Sequence, residues 1–329
     1  MEQTKLDLSG KNLTHFDTSG FNNLIELNLS RNLLSGINVY DLYNLTKLNL
    51  YVNILTYINL YNLPNLTELN LSENQLTNFD VYNLQNLKIL HLSLNRLIDV
   101  NLSNLPNLTK LFLFYNDLTS IDISKLHNLT SLHLDYNHLT YIDVSNLYNL
   151  TELNLTGNKL TNIDISNLHN LTVLNLSGNK LINIDVSNLH NLTVLNLSGN
   201  KLINIDVSNL HNLTVLNLSG NKLINIDVSN LNNLTTLNLR NNRLTKLIIN
   251  NLPKLNNLFL NNNNNIINFN VIDIPNPKIV QILISYISRL SPLNFFNDNY
   301  LDHSIIDQLP EKFYTDYLRY NQCKIKRAL

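Results

Sequence analysis

The sequence predicts an α/β repeat protein, a solenoid in which each short unit adds one strand to a parallel sheet. Three observations support this prediction. A motif of alternating leucines returns at one fixed interval, an asparagine holds the same place in each copy, and the pattern ends near residue 265. Self-similarity at a fixed period of about 20 to 50 residues is typical of arrays in which each unit packs only on its neighbours.

The asparagine column sets the length and number of the units. It begins at Asn32, continues at Asn53 and Asn74, and keeps this spacing to Asn263, which gives twelve repeats. A half-repeat precedes them, with Leu6 and Leu8 in phase and Lys11 where the asparagine would stand. We therefore expect a solenoid over residues 1–265 and a separate C-terminal region over 266–329.

Each unit has two halves with different patterns. In the first half, Leu69 and Leu71 alternate with polar residues, which is the period of a half-buried strand. Stacked in register, these strands predict a parallel sheet on the concave side of the solenoid. The second half returns the chain along the convex side and is too short for a regular helix, so we expect extended or 3-10 segments there. The asparagine amide suits backbone groups that lose their ladder partners where the strand ends.

The segment from Leu66 to Leu76 shows the leucine-rich-repeat motif LxxLxLxxNxL, with Asn74 at the asparagine position. On this motif the chain resembles the leucine-rich-repeat family, and its 21-residue unit is similar to the short repeats of bacterial internalins. The resemblance covers about residues 1–265. It implies protein or peptide binding rather than catalysis.

The sequence of the C-terminal region predicts a small helical cap. Between Lys278 and Leu290 a stripe of apolar residues has the spacing of an amphipathic helix, namely Ile279, Ile282, Leu283, Tyr286, Ile287 and Leu290. Pro292 ends this helix, and a second helical stretch is expected over 304–324. Repeat arrays need such a cap over the last open unit. The segment from Leu309 to Leu318 also resembles the start of an F-box, as does the segment from Ile274 to Ile287. This second resemblance implies an alternative function, a ubiquitin-ligase substrate adaptor.

The middle repeats carry a candidate binding surface. Most outward strand positions hold Asn, Ser, Glu, Lys or Val, whereas repeats four to six place rings and imidazoles there. Exposed aromatic residues within a polar surface are typical of interaction sites. The alternative is that the rings only pack on one another. The predicted partner-binding residues are His91, Phe112, Phe114, Tyr115, His133, Asp135 and Tyr136.

The copied repeats are a contrasting region. Residues 180–200 and 201–221 are identical, and 159–179 differs from them only at Thr161 and Ile165. Recent duplication explains this identity, so we interpret residues 159–221 as a spacer without recognition specificity of its own.

No pattern in the chain indicates catalysis, a cofactor or a metal site. Glycine-rich phosphate loops and the GxSxG motif are absent from the sequence, and Cys323 has no recognisable histidine partner. His169, His190 and His211 recur because their repeat was copied, and ligands spaced along a ladder do not converge on one ion. A column of aspartates from Asp122 to Asp227 is explained by turn capping and by nearby lysines. We predict a protein that is not an enzyme.

The composition limits the classes of partner and the cellular compartment that we expect for this chain. The formal net charge is −1, which favours neither nucleic acid nor an anionic membrane as partner. One cysteine permits no intramolecular disulfide, which fits a reducing compartment. Codon bias behind the abundant Asn and Ile suggests an AT-rich genome such as that of a large DNA virus. The sequence thus predicts a monomeric cytoplasmic scaffold (in the host cytoplasm, if the source is viral or bacterial) that binds a protein or peptide on its concave face.

Overall fold

A computed structural model describes residues 4–80, 84–263, 266, 268–287 and 300–301 of the chain. The fold is the predicted parallel-sheet solenoid of about twelve turns. It divides into two compact units, residues 1–179 and residues 180–329, and each is described by itself.

The main sheet of the first unit contains nine short parallel strands. Each pairs with the equivalent residues of the strand one repeat away, as in Leu111 opposite Leu132. The strands are β1 (Lys5–Asp7), β2 (Glu26–Asn28), β4 (Lys47–Asn49), β6 (Glu68–Asn70), β8 (Ile89–His91), β10 (Lys110–Phe112), β11 (Ser131–His133), β12 (Glu152–Asn154) and β13 (Val173–Asn175). The half-repeat therefore contributes a strand of its own, β1.

The return side of the first unit is extended only in its early repeats. There, β3 (Gly36–Tyr40) pairs with β5 (Tyr57–Tyr61), and β7 (Asn78–Asp80) pairs with β9 (Asp99–Asn101). From residue 102 to residue 179, all of which the structure describes, the return segments form turns and bends without strands or 3-10 helices. The extended conformation expected for the return side is thus found in the early repeats, and neither of the two expected conformations forms in the return segments of 102–179.

The second unit repeats this architecture. Its main sheet contains β14 (Val194–Asn196), β15 (Val215–Asn217), β17 (Thr236–Asn238) and β19 (Asn257–Phe259). Its return sheet contains β16 (Asn225–Asp227), β18 (Lys246–Asn250), β20 (Asn268–Ile272) and β21 (Tyr300–Leu301). One helix, α1 (Pro277–Ile287), follows β20.

The core is built from one set of leucines in every repeat. Leu132 and Leu134 of the sixth repeat are fully buried, as are Leu216 and Leu218 of the second unit. Burial of a leucine stabilises the fold by about 1.5 to 3 kcal/mol relative to an exposed position. The strand leucines recur from repeat to repeat, whereas the return-side core varies, as at Phe79, Val100 and Ile142, which share one position of the repeat.

The asparagine column forms the predicted ladder. Asn137 is buried, and its Nδ2 donates to the carbonyl of Leu134 at 3.0 Å and to that of Leu113 in the preceding repeat at 2.9 Å. Its Oδ1 accepts the N–H of Leu118 at 3.1 Å. One side chain thus satisfies three backbone groups in two repeats, which ties each repeat to the preceding one.

The C-terminal helix begins close to the predicted residue. Asn276 caps it, since its Oδ1 accepts the N–H of Lys278 at 3.0 Å, and Pro277 occupies the first turn. The buried face differs in part from the predicted stripe, because Val280 and Ile284 are buried whereas Ile282 is half-buried. The helix expected over 304–324 lies outside the described residues.

The return sheet continues past residue 265. Lys246 pairs with Asn225 on one side and with Asn268 on the other. Along the chain, Asn268 is one residue farther from Lys246 than Asn225 is. The chain from Lys246 to Asn268 is therefore one residue longer than a regular repeat. The pairing of β20 with β18 carries the return sheet to residue 272. The division at residue 265 between solenoid and cap stays a prediction.

Candidate functional site

The predicted binding residues lie on three neighbouring strands of the first unit. His91, Phe112 and His133 are the third residues of β8, β10 and β11, and the register places them directly side by side. The same row holds asparagine in the repeats on either side, at Asn70 and Asn154. We call the seven predicted residues the aromatic patch; they are His91, Phe112, Phe114, Tyr115, His133, Asp135 and Tyr136.

The row of rings is stacked. The ring centroids of His91 and Phe112 are 4.5 Å apart with an interplanar angle of 3°, and those of Phe112 and His133 are 4.9 Å apart with an angle of 30°. These separations are those of favourable aromatic pairs. All three residues keep part of their surface exposed, so packing on one another does not remove them from solvent.

A second stack lies where the strands end. The rings of Tyr115 and Tyr136 are nearly parallel, with centroids 4.4 Å apart, and the two residues are 48% and 46% exposed. Phe114 meets Tyr115 edge-on at 6.2 Å. The ring of Tyr136 lies over Gly157, where an added Cβ would come within 2.8 Å of it. The patch thus consists of two adjoining stacks, one on the strands and one on the turn that follows.

In this row, rings stand where other repeats have an asparagine whose side chain accepts a hydrogen bond from the backbone. Asn70 Oδ1 accepts the N–H of Ser72 at 3.0 Å, and Asn154 Oδ1 accepts that of Thr156 at 3.2 Å. Phe112 has no acceptor atom, and the imidazole of His91 makes no equivalent hydrogen bond. In the described parts of the chain the N–H groups of Ser93 and Phe114 have no hydrogen-bond partner. Each lost hydrogen bond costs about 0.5 to 1.5 kcal/mol.

The residue at the turn after each strand is also energetically unfavourable in the patch. Tyr115 and Tyr136 have φ of 54°, in the left-handed region where Gly157 stands one repeat later. A non-glycine residue costs roughly 1 to 2 kcal/mol there. Val52 shares this conformation, so the strain extends to earlier repeats. Within the patch, however, the same turn carries the exposed tyrosines.

His133 has polar neighbours that the sequence analysis did not select. Its Nε2 lies 3.1 Å from Ser131 Oγ and 3.4 Å from Glu152 Oε1, and Ser131 Oγ donates to Glu152 Oε2 at 3.2 Å. A catalytic triad needs the carboxylate and the nucleophile on opposite ring nitrogens, whereas both approach Nε2 here. The arrangement orients the ring of His133. Glu152 stands one repeat after Ser131 at the same strand position, so the period would have identified it.

Burial governs the ionisation of the patch. It lowers the pKa of His91 and raises the pKa of the Asp135 carboxyl. The pKa of Tyr115 is raised first by burial of its hydroxyl and then by Tyr136. His91 is therefore neutral at pH 7, and the charged form of Asp135 is disfavoured in this environment.

The other candidate sites have structural explanations. The aspartate column caps turns, as where Asp164 Oδ1 accepts the N–H of Ser166 at 3.0 Å. The pKa of Asp164 is lowered by hydrogen bonds from Ser166, and the pKa of Asp122 in the same column is lowered first by hydrogen bonds from Ser124 and to a smaller extent by Lys125. Within the described residues no group of three His, Cys, Asp or Glu side chains could hold a metal ion. Cys323 and the segment from Leu309 to Leu318 lie outside those residues.

Comparison with protein families gives matches along much of the chain. A family described as leucine rich repeat matches residues 127–181. A second leucine-rich-repeat family matches residues 23–45, 65–87, 191–213, 212–234 and 233–255. Together these matches cover about half of the sequence.

Solved structures with the same fold include bacterial internalins. The functional domain of InlJ from Listeria monocytogenes is 32% identical with a TM-score of 0.75, over 82% of this chain and 62% of that chain. This chain therefore spans less than two thirds of the InlJ structure. The InlF internalin from Listeria monocytogenes is 27% identical with a TM-score of 0.70, over 83% of this chain and 87% of that chain.

A receptor from plants also has a similar fold. The plant peptide hormone receptor RGFR1, solved in complex with RGF2, is 27% identical with a TM-score of 0.53, over 76% of this chain and 52% of that chain. No curated protein sequence matches the chain. Among the described residues, no helix has the length and apolar character needed to cross a membrane.

Proposed function

Because the chain belongs to the leucine-rich-repeat family, we propose that it is a non-catalytic scaffold that binds a protein or peptide through the aromatic patch. The repeats provide a sheet held by a recurring set of core leucines. The patch is where three neighbouring strands of the first unit depart together from the asparagine row; in the second unit Phe259 also departs from that row, and the guanidinium of Arg240 lies 4.5 Å from its ring centroid. The cytoplasmic location and the monomeric state stay predictions of the sequence.

The stacked rings on the exposed sheet face carry this proposal. Aromatic side chains that are held in place lose little conformational entropy on binding, and they offer large apolar surfaces to a partner. Tyr115 and Tyr136 leave about half of their surface available. Interaction hot spots are enriched in such residues.

The energetic cost of the patch supports the same conclusion. His91 and Phe112 stand where other repeats have an asparagine that accepts the N–H of the residue two positions later, and the tyrosines occupy a turn that favours glycine. Residues that reduce local stability while enlarging an exposed apolar surface are typical of functional sites. A sheet selected for stability alone would keep asparagine and glycine at these positions.

The plant receptor provides a precedent for the class of ligand. RGFR1 is a peptide hormone receptor of similar fold, solved with RGF2. A peptide laid across several repeats would contact neighbouring strands at once. The patch extends over three strands, β8, β10 and β11, which is compatible with such a ligand.

A double variant tests the proposal. Random peptides displayed on phage are selected on the wild-type chain, and the affinity of the selected peptides is measured for Phe112→Ser combined with Phe114→Ser. We expect affinity to fall by more than tenfold, because each anchoring ring contributes on the order of 2 kcal/mol. Circular dichroism should show an unchanged fold, since neither ring belongs to the leucine core.

The copied repeats offer the matched control. Asn196→Ser combined with Asn217→Ser changes the same strand position in two neighbouring repeats of the second unit. These substitutions should leave peptide affinity within about twofold, as expected for residues outside an energetic hot spot. Peptides that bind the phenylalanine double variant as tightly as the wild type would contradict the proposed site.

A further inference from the structure

Asp135 is the carboxylate of the aromatic patch and belongs to the last of its three repeats. It follows β11, and the equivalent positions in neighbouring repeats are Ser93, Phe114 and Thr156. The N–H of Tyr115 donates to the carbonyl of Asp135 at 2.9 Å, and that of Tyr136 donates to Thr156, so the turns are stacked in register. Asp135 is the acidic residue of this row within the patch.

The carboxylate of Asp135 is incompletely satisfied. Its Oδ1 is buried and has no hydrogen-bond partner among the described residues. The residue as a whole is partly exposed, so the group remains in reach of a ligand. A buried charged oxygen without a partner is unfavourable, and most such groups in proteins are paired.

The described part of the first unit supplies no lysine or arginine to pair with Asp135. Its ion pairs between lysine and glutamate join other residues, Lys5 with Glu26 and Lys47 with Glu68. The backbone N–H of Asp135 itself and, to a smaller extent, His133 favour the ionised form of this carboxylate, but Nε2 of His133 lies against Ser131 and Glu152. Burial accordingly raises the pKa of the Asp135 carboxyl.

Aromatic residues are the neighbours of Asp135 along the chain and in the same row. Asp135 is close enough to the Tyr115 hydroxyl to raise the pKa of that group, and Tyr115 stacks on Tyr136 at 4.4 Å. Phe114 is the neighbour of Asp135 in the same row, one repeat earlier. Ring faces attract cations, and a carboxylate beside them adds a charged acceptor.

We propose that Asp135, together with Phe114, Tyr115 and Tyr136, forms a subsite for a lysine or arginine side chain of the bound partner. This inference rests on the proposed function. A cationic group neutralises the carboxylate and donates hydrogen bonds to it, while its aliphatic stem packs on the rings. An anionic group would be repelled by both Asp135 and Glu152. The patch therefore selects a partner with a basic residue beside an apolar one.

The test uses random peptides displayed on phage and the full chain as bait. Peptides selected on the wild type should be enriched in lysine or arginine next to apolar residues. For a selected basic peptide, Asp135→Asn should weaken binding on the order of tenfold. Replacing the basic residue of the peptide by an uncharged one should weaken binding to the wild type by a similar factor and have little effect on binding to the variant.

Two variants control this experiment. Asp143→Asn removes one negative charge from the return side, at an exposed carboxyl, and should leave affinity unchanged. Asp135→Ser places at this position the residue found at Ser93 and Ser177, which keeps the turn compatible with folding. Both variants are compared with the wild type by circular dichroism.

The outcomes separate the two hypotheses. Peptides that require Phe112 and Phe114 but show no basic enrichment, and bind Asp135→Asn as tightly as the wild type, would overturn the cationic subsite while leaving the proposed function intact. Peptides that bind independently of Phe112 and Phe114 would overturn both. Basic peptides that lose affinity with both Asp135 variants and keep it with Asp143→Asn would support the subsite.

Discussion

The repeats of the aromatic patch and the copied repeats of the second unit share one interior and differ in their surfaces. Leu132 and Leu216 occupy the same buried strand position. Around them, the copied repeats keep the asparagine cap, as where Asn217 Oδ1 accepts the N–H of Ser219 at 3.2 Å, and glycine at the following turn. The patch repeats replace both. A solenoid can therefore vary its surface in one region without changing the packing that holds it together.

This difference separates stability from recognition along a single chain. In the copied repeats, side chains at the turn and the strand end satisfy the backbone. In the patch repeats, they form ring stacks and leave some backbone groups unsatisfied. Substitutions shared by both regions should have equal effects in each, whereas exchanges between the two surface types should change stability in opposite directions.

The largest expected effect concerns the shared core. Leu132→Asp should lower the free energy of unfolding by about 3 kcal/mol or more, because it removes a packed leucine and buries a carboxylate. Leu216→Asp in the second unit should cost a similar amount. Urea unfolding followed by circular dichroism measures both. A soluble Leu132→Asp protein with an unchanged unfolding midpoint would refute the register of the repeats.

The asparagine ladder should give the next largest effect. Asn137→Ala leaves the N–H of Leu118 and the carbonyls of Leu113 and Leu134 without their partner, which should cost about 2 to 3 kcal/mol. Asn221 makes the same contacts with Leu197, Leu202 and Leu218, and Asn221→Ala should cost the same. Thermal unfolding of the two variants provides the comparison. A much smaller loss for either would show that water replaces the amide.

Substitutions at the left-handed turn position should change the free energy of unfolding by about 1 kcal/mol, with opposite signs in the two regions. Leu94 has φ of 57° and is exposed, so Leu94→Gly should raise the free energy of unfolding by relieving backbone strain. Gly220→Leu imposes the same strain on the second unit and should lower it. Both are measured by urea unfolding. Equal signs for the two variants would mean that side-chain contacts, and not backbone strain, determine stability at this turn.

The smallest effect is the pH dependence contributed by His91. Because burial lowers the pKa of this imidazole, the folded state binds a proton less readily than the unfolded state, whose pKa is near 6.5. Stability should be fully present above that value and decline as the pH falls through it. His91→Asn should abolish this decline and restore the cap on Ser93. Unfolding midpoints of both proteins between pH 7 and pH 5 test the difference, and parallel curves would contradict it.

The sequence was sufficient to predict the repeat, the buried leucines and the asparagine ladder, because each depends on residue type and a fixed spacing. The lateral order of His91, Phe112 and His133 followed from the same period. The ring geometry did not, since a stack of 3° and a tilt of 30° depend on side-chain rotamers. The loss of the hydrogen bond to the Ser93 N–H could also not be predicted from the sequence. It is recognised only when the position of the His91 side chain is compared with that of the backbone two residues later.

The one-residue register shift after the last regular repeat could likewise not be predicted from the repeat pattern. An unbroken run of asparagines over 261–265 contains no leucine that would mark the phase, so the extra residue before Asn268 is invisible in the sequence. The buried face of α1 was predicted only in part for a related reason. Ile279, Val280, Leu283 and Ile284 are all apolar, and composition alone does not choose which of them face the interior.

We expect the two sides of the first unit to differ in mechanical stiffness. From residue 102 to residue 179, the strands of the main sheet are joined by backbone hydrogen bonds, whereas the return segments contain local turns and are joined between repeats by asparagine side chains, as where Asn149 donates to the carbonyl of His127 at 3.0 Å. Bending strain should therefore be absorbed on the return side, where local turns and side chains can adjust without breaking a backbone ladder. Hydrogen–deuterium exchange should be faster for exposed return-side amides of these repeats than for β10 to β12. The patch would then be carried on the stiffer side, with its ring spacing preserved while the rest of each repeat flexes.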